Sequence, residues 1–203
     1  MQPAPGQLST RRELLGGAVA VIAAGSIAAT ALDASDAVAE AETDSDLLHA
    51  ILSVELLLAF CYQQVLQSET LAPDAVLAIR HLFNQEQTHI DVMTDELAKF
   101  GQLPPSPPTG VPAADDELEA LHASGSLTAL HSQQDCLRLL EGAEQVAQGA
   151  YYHSLTKLTD GRLARVCASL LAAEGQHYTV LGSLLHPGEI DKAVPSAFVQ
   201  GHS

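Results

Sequence analysis

The chain has 203 residues, a formal charge of −16, few aromatics and no tryptophan. That length suits one domain with a substantial core, and so negative a charge excludes nucleic acid and anionic lipid surfaces as partners. Alanine and leucine are abundant, which favours helix over sheet.

The first elements in chain order belong to a targeting segment, expected over residues 1–39. "STRRELL" (Ser9 to Leu15) carries the pair Arg11–Arg12, and the apolar run "LLGGAVAVIAAGSIAATAL" follows. Ala37-Val38-Ala39 then offers a small-x-small cleavage site before Glu40. The segment resembles a twin-arginine export signal, with Leu14 where phenylalanine is usual and Leu15 in place of lysine. That resemblance implies export of a folded protein to the periplasm, cell envelope or outside. The apolar run is also about long enough to span a bilayer, so a retained membrane anchor is the alternative. Without residues 1–39 the chain keeps 7 basic and 22 acidic residues, a charge of −15.

Residues 40–46 read as a polar linker, and helical periodicity then takes over. Leu47 to Gln67 predicts a first helix with Ile51, Glu55, Leu58, Tyr62 and Val65 inward and Asp44 or Ser45 as N-cap. Pro73 to Phe100 predicts a second, with Val76, Ile79, Phe83, Glu86, Ile90, Met93 and Leu97 on its stripe. Residues 101–125 read as a long crossover. Five prolines in residues 104–112 exclude helix there, and so long a connection needs a reason. Ser126 to Leu158 predicts a third helix with Leu137, Leu140, Glu144, Ala147, Tyr151 and Leu155 inward. After "TDG", Arg162 to Leu185 predicts a fourth, with Val166, Leu170, Glu174, His177, Leu181 and Leu184 inward. The tail, 187–203, has no clear pattern. Short loop, long crossover, short loop is the connectivity of an all-α four-helix bundle spanning 47–186.

The chain repeats itself at an offset of about 89. "ELLLAFCYQQVL" from Glu55 aligns with "EQVAQGAYYHSL" from Glu144, and "HLFNQEQTH" ending at His89 aligns with "SLLAAEGQH" ending at His177. Each half therefore supplies a glutamate and then Glu-x-x-His on inward faces. A tyrosine follows the first glutamate by seven in both halves, Tyr62 and Tyr151. Glu141 lies one turn from Glu144 but has no mate in the repeat, so it reads as a residue beside the site or at its rim. The third Glu-x-x-His, Glu119 to His122, lies in the crossover without a mate and reads as a surface coincidence. His49, His81, His131, His153, His186 and His202 match no repeat position and read as surface or rim.

Four buried carboxylates without partners would cost several kcal/mol each or be forced neutral. Arg80 and Arg138 flank the stripes, but two arginines are too few for four acids. Two divalent cations balance four glutamates and two neutral imidazoles, and oxygen with nitrogen donors suit iron or manganese. Residues three apart project to one side of a helix. Glu86 or Glu174 could bridge two metals while His89 or His177 binds one, and Glu55 and Glu144 each cap one. An internally satisfied polar core, or a degenerate site binding one metal or none, stand as alternatives. For the tyrosines the choice is between a hydrogen bond or radical relay to the site and packing with a satisfied hydroxyl.

On these six residues the chain resembles the ferritin-like di-iron carboxylate superfamily, which includes ferritins, bacterioferritins and rubrerythrins, over about residues 45–186. The resemblance implies a centre of two Fe ions, alternatively Mn, ligated by Glu55, Glu86, His89, Glu144, Glu174 and His177. It implies reaction with O₂ or peroxide, with Fe(II) or peroxide as substrate, and a homo-oligomer is compatible with it. A non-enzymatic metal-binding or structural bundle is the other reading. No cysteine pair is spaced for zinc or haem. In the ferritin-like arrangement Cys61 and Cys136 fall toward one end of the bundle, which raises a disulfide between them, and Cys167 falls toward the other.

Overall fold

Thr43 opens the first helix, α1 (Asp44–Gln67). Its hydroxyl accepts from the Asp46 backbone N–H, and the Asp46 carboxylate accepts from Thr43 N, a reciprocal capping box. The cap is thus one residue earlier than Asp44 and two earlier than Ser45. The computed structural model describes residues 42–194; the signal segment 1–39 and His202 lie outside them.

The second helix, α2 (Pro73–Ala98), starts on a proline in its first turn, where the missing N–H has no helical partner to lose. It is followed by Gly101 at φ +71°, the left-handed stop that favours glycine. The crossover departs from the sequence expectation. It contains a ten-residue helix, α3 (Val111–Ala120), with Pro112 in its first turn. Proline breaks a helix from inside but tolerates its start, so the last of the five prolines marks an entry, not an exclusion. Ala114 and Leu118 on α3 are buried in one cluster with Leu57, Leu58 and Cys61. A 3₁₀ turn, Leu127–Ala129, follows, and the Asp115 carboxylate accepts from Leu127 N (2.6 Å), Thr128 N (3.2 Å) and Ser126 Oγ (2.7 Å).

The third long helix, α4 (Gln133–Leu155), therefore begins after Ser132, its N-cap, rather than at Ser126. At Gly142 the crossover lies directly on α4: a Cβ there would stand 2.4 Å from Ser124 Oγ. Asp160 caps α5 (Gly161–Leu185), accepting from Arg162 N and Leu163 N. The tail forms a short helix, α6 (Ile190–Ala193), whose Ala193 is buried against Gly182.

Five-residue turns make α1 and α2 antiparallel, and likewise α4 and α5. Tyr62 reaches Glu144 and Tyr151 reaches Glu55, so α1 and α4 are antiparallel too. It follows that α2 and α4 run parallel. The chain must travel back along a bundle roughly 35 Å long to connect them. That return is the reason for the long crossover.

Two apolar clusters fill the bundle. One holds Leu57 to Val65, Ile79, Leu82, much of α4 and Leu181; the other holds Leu48, Ile51, Leu52, Met93, Leu97, Tyr151, Leu163 and Cys167. Glu55 on α1, Glu86 and His89 on α2, and Glu174 and His177 on α5 stand between these clusters. Each fully buried leucine or isoleucine contributes about 1.5–3 kcal/mol, which is the force that holds an ionic layer in place between them.

At the end where α1 starts, Asp44 accepts from Thr159 N (2.8 Å), Asp160 N (2.9 Å) and Thr159 Oγ1 (3.0 Å). Glu96 on α2 takes a bidentate bond from Arg162 on α5, both distances 2.7 Å. The three cysteines are buried and free. Cys61 and Cys136 do share one cluster, but Cys136 Sγ faces Thr70 Oγ1 at 3.1 Å and Ser68 Oγ at 3.5 Å. The expected Cys61–Cys136 disulfide is absent because that thiol is turned to the α1–α2 connection.

Candidate metal centre

The helical periodicity carries Glu55, Glu86, Glu144 and Glu174 to full burial, and leaves His89 and His177 only 4% and 1% exposed. All six meet between the helices. Their ligand atoms form two groups, Glu55, Glu86, His89 and Glu174 in one and Glu86, Glu144, Glu174 and His177 in the other, each within 4.8 Å. Glu86 and Glu174 belong to both. The imidazoles lie parallel, 5.5 Å apart at 9°.

His89 Nδ1 stands 2.7 Å from Glu174 Oε1, 3.3 Å from Glu86 Oε2 and 3.9 Å from Glu55 Oε2. His177 Nδ1 repeats the pattern, 2.6 Å from Glu86 Oε1, 3.4 Å from Glu144 Oε1 and 3.6 Å from Glu174 Oε2. Yet neither Nδ1 has a partner in hydrogen-bonding geometry, nor has any oxygen of Glu86 or Glu174, nor Oε2 of Glu55 or Glu144. Buried polar atoms are nearly always paired, so this concentration of orphans asks for another partner. Two atoms each from Glu86 and Glu174 and one each from the other four residues give four donors for each of two positions. The donor set fits two small divalent cations, and the groups could hold metal.

The tyrosines explain why only Oε2 of Glu55 and Glu144 is left over. Tyr62 donates its hydroxyl proton to Glu144 Oε1, and Tyr151 donates to Glu55 Oε1 at 2.5 Å. Each tyrosine thus serves the glutamate of the opposite hairpin, not the one seven residues before it. Both phenols are buried in contact with the carboxylates, and both are pushed well up, by burial first and then by the acids.

The electrostatics match the crowding. Burial, then the charges of Glu174 and Glu86, push Glu55 and Glu144 well above the carboxylate range. Burial opposes charge on Glu174, but His177 and His89 beside it hold it down to about 2. Burial also favours neutral imidazoles, but the carboxylates around them raise His89 to about 9 and His177 to about 12. Protons held on Glu55, Glu144 and the imidazoles relieve the crowding of like charge, and a metal would displace them.

The other sequence candidates fall outside. Glu141 is half-buried, raised by burial and eased by His186 and Arg138, and belongs to neither group. Arg80 and Arg138 are exposed, so neither guanidinium balances the buried acids. Glu119 and His122 are exposed at the end of α3. His49 and His131 are exposed as expected, and half-buried His153 stands 3.5 Å from Glu42. Two residues beside the site, Gln85 and Gln148, escaped sequence reasoning, and His81, exposed as expected, reaches it through Gln85. Gln85 bonds both His177 Nε2 (2.7 Å) and His81 Nε2 (2.9 Å), and Gln148 donates to the Glu174 carbonyl (3.3 Å). Gln85 and His81 have no glutamine or histidine at the matching positions of the second half, so a search for duplicated residues passes over them.

Fold and site together define a class: an antiparallel helical bundle whose two hairpins each bring Glu and Glu-x-x-His to a shared, buried carboxylate–imidazole centre. The model of the ferritin-like domain family matches residues 43–187, so the chain belongs to that family. No curated protein and no solved structure matches it.

Proposed function

We propose that this chain holds a dinuclear iron centre, or a manganese one, on Glu55, Glu86, His89, Glu144, Glu174 and His177, and uses it to oxidise Fe(II) or reduce O₂ or peroxide. The observation that carries the reading is the set of orphaned donor atoms, divisible into two groups that share Glu86 and Glu174. A bound redox-active metal pair supplies electrons one at a time from each ion and polarises the oxidant. The protein's own part is positional. Glu86 and Glu174 each present two free oxygens. Tyr62 and Tyr151 occupy one oxygen of Glu144 and Glu55 and so aim the other inward. The apolar clusters on either side exclude water. With peroxide and Fe(II) as substrates the balance is two Fe(II) giving one electron each, and peroxide taking both with two protons to leave two waters.

The export expected from Arg11 and Arg12 is part of this proposal, and places the activity outside the cytoplasm. Metal analysis of the purified protein tests the centre: near two iron or manganese per chain is expected, and none would sink it. Stopped-flow oxidation of Fe(II) by O₂ or peroxide tests the chemistry. Turnover no faster than buffer would leave a binding protein. Arg11→Lys with Arg12→Lys should abolish export, read by cell fractionation.

A further inference from the structure

We infer that Gln85 makes the two metal positions unequal, so that the position of Glu144 and His177 fills first and that of Glu55 and His89 fills second and empties first. The inference rests on the dinuclear reading above. Gln85 Oε1 lies 2.7 Å from His177 Nε2. A carbonyl oxygen only accepts, so Nε2 carries a hydrogen and Nδ1 is the atom free to meet a metal. The amide is itself oriented. Its nitrogen lies 2.9 Å from Nε2 of His81, one helical turn earlier, which accepts from it. His81 and Gln85 thus hold the His177 ring in place before any ion arrives.

His89 has no such support. The repeat that aligns Glu86 with Glu174 and His89 with His177 aligns Gln85 with Ala173, which has no polar side-chain atom. Among the described residues His89 Nε2 makes no hydrogen bond, and the ring is 4% exposed against 1% for His177. The tyrosine bonds are matched between the halves, and both shared carboxylates serve both positions, so neither creates the inequality. An imidazole already fixed in orientation loses less freedom on binding than one that is not. Outer partners of this kind typically change metal affinity by about 10–100-fold.

The test is a Co(II) titration of the chelator-stripped full chain, followed by visible absorption and calorimetry. Two uptake steps separated by about tenfold or more are expected. Gln85→Ala should weaken the tighter step by about 10–100-fold and merge the two, while Gln85→Glu, which keeps an acceptor, should preserve the separation. In the metal-free chain, NMR should find the His177 ring Nε2–H exchanging slowly with water, that of His89 exchanging faster, and the difference lost in Gln85→Ala. Two equal steps in the wild type, a Gln85→Ala chain titrating like the wild type, or Gln85→Glu behaving as Gln85→Ala would overturn the inference. Failure of the wild type to take up Co(II) would instead bring down the dinuclear reading itself, and the order of filling with it.

Discussion

The two hairpins bring the same candidate ligands to the centre from unlike helices. On the first, α1 buries Glu55 among leucines and Ile51, and by length and composition it is apolar enough to cross a membrane, although more than half of that stretch is buried in the fold. On the second, α4 buries Glu144 beside Gly142, Gln148 and Gly149. The small face of α4 follows from the crossover, which lies on it at Ser124 and leaves no room for a Cβ at Gly142. Ligand spacing is thus duplicated while the packing around it has diverged. The spacing answers to helix geometry; the packing answers to whichever neighbour each helix has.

Replacing a shared carboxylate should have the largest effect. Glu86→Ala or Glu174→Ala removes a donor from both groups, so both ions should be lost, whereas Glu55→Ala or Glu144→Ala should cost one ion. Metal content of the purified variants reads the difference. Equal losses in all four would deny that Glu86 and Glu174 are shared. Chelation should lower the melting temperature, because an ion at a hundred to a thousand times its Kd contributes about 3–4 kcal/mol per site; calorimetry before and after chelation shows it.

Next come the apolar clusters. Leu118→Ala on the crossover and Leu52→Ala on α1 remove side chains at most 1% exposed, and each should cost about 2–5 kcal/mol in urea denaturation. A negligible loss at Leu118 would return the crossover to being a mere loop. Tyr62→Phe and Tyr151→Phe should each cost about 1–3 kcal/mol in the metal-free chain, and by similar amounts, since each leaves one buried oxygen without its donor. Clearly unequal costs would show that the duplication does not extend to the braces.

The smallest effect concerns the bond between the hairpins. Hydrogen bonds from Arg162 lead the causes, with Lys99 adding to them, that hold Glu96 down from 4.5 to about 2. A carboxylate lowered on folding stabilises the fold above its unfolded value. That contribution is lost as pH falls from about 4.5 to about 2. Arg162→Ala should flatten this part of the stability–pH curve, read as melting temperature across acid buffers.

All four long helices and the six buried residues were legible because helical periodicity and the repeat point to the same positions. What escaped had different causes. Helix α3 lay behind a proline count that ignored where in a helix proline is tolerated. The start of α4 depended on choosing between Ser126 and Ser132 as caps; only Ser132 has an acid three residues on, Asp135, and the two bond each other. The tyrosines were found, but not their partners, because a spacing of seven along one helix says nothing of what lies level with it on the next. Gln85 was invisible to a search for duplicated residues because its role lies in not being duplicated.

The crossed tyrosines carry a consequence for the history of the chain. A single hairpin, cut out alone, would hold a phenol with no acid to serve and an acid with no phenol. Two copies related by a twofold axis would repair both defects at once, with the same six ligands. The fold is, in effect, a twofold pair of similar hairpins joined by a tether, and a tethered pair, unlike two copies of one chain, can carry a residue such as Gln85 on one side only.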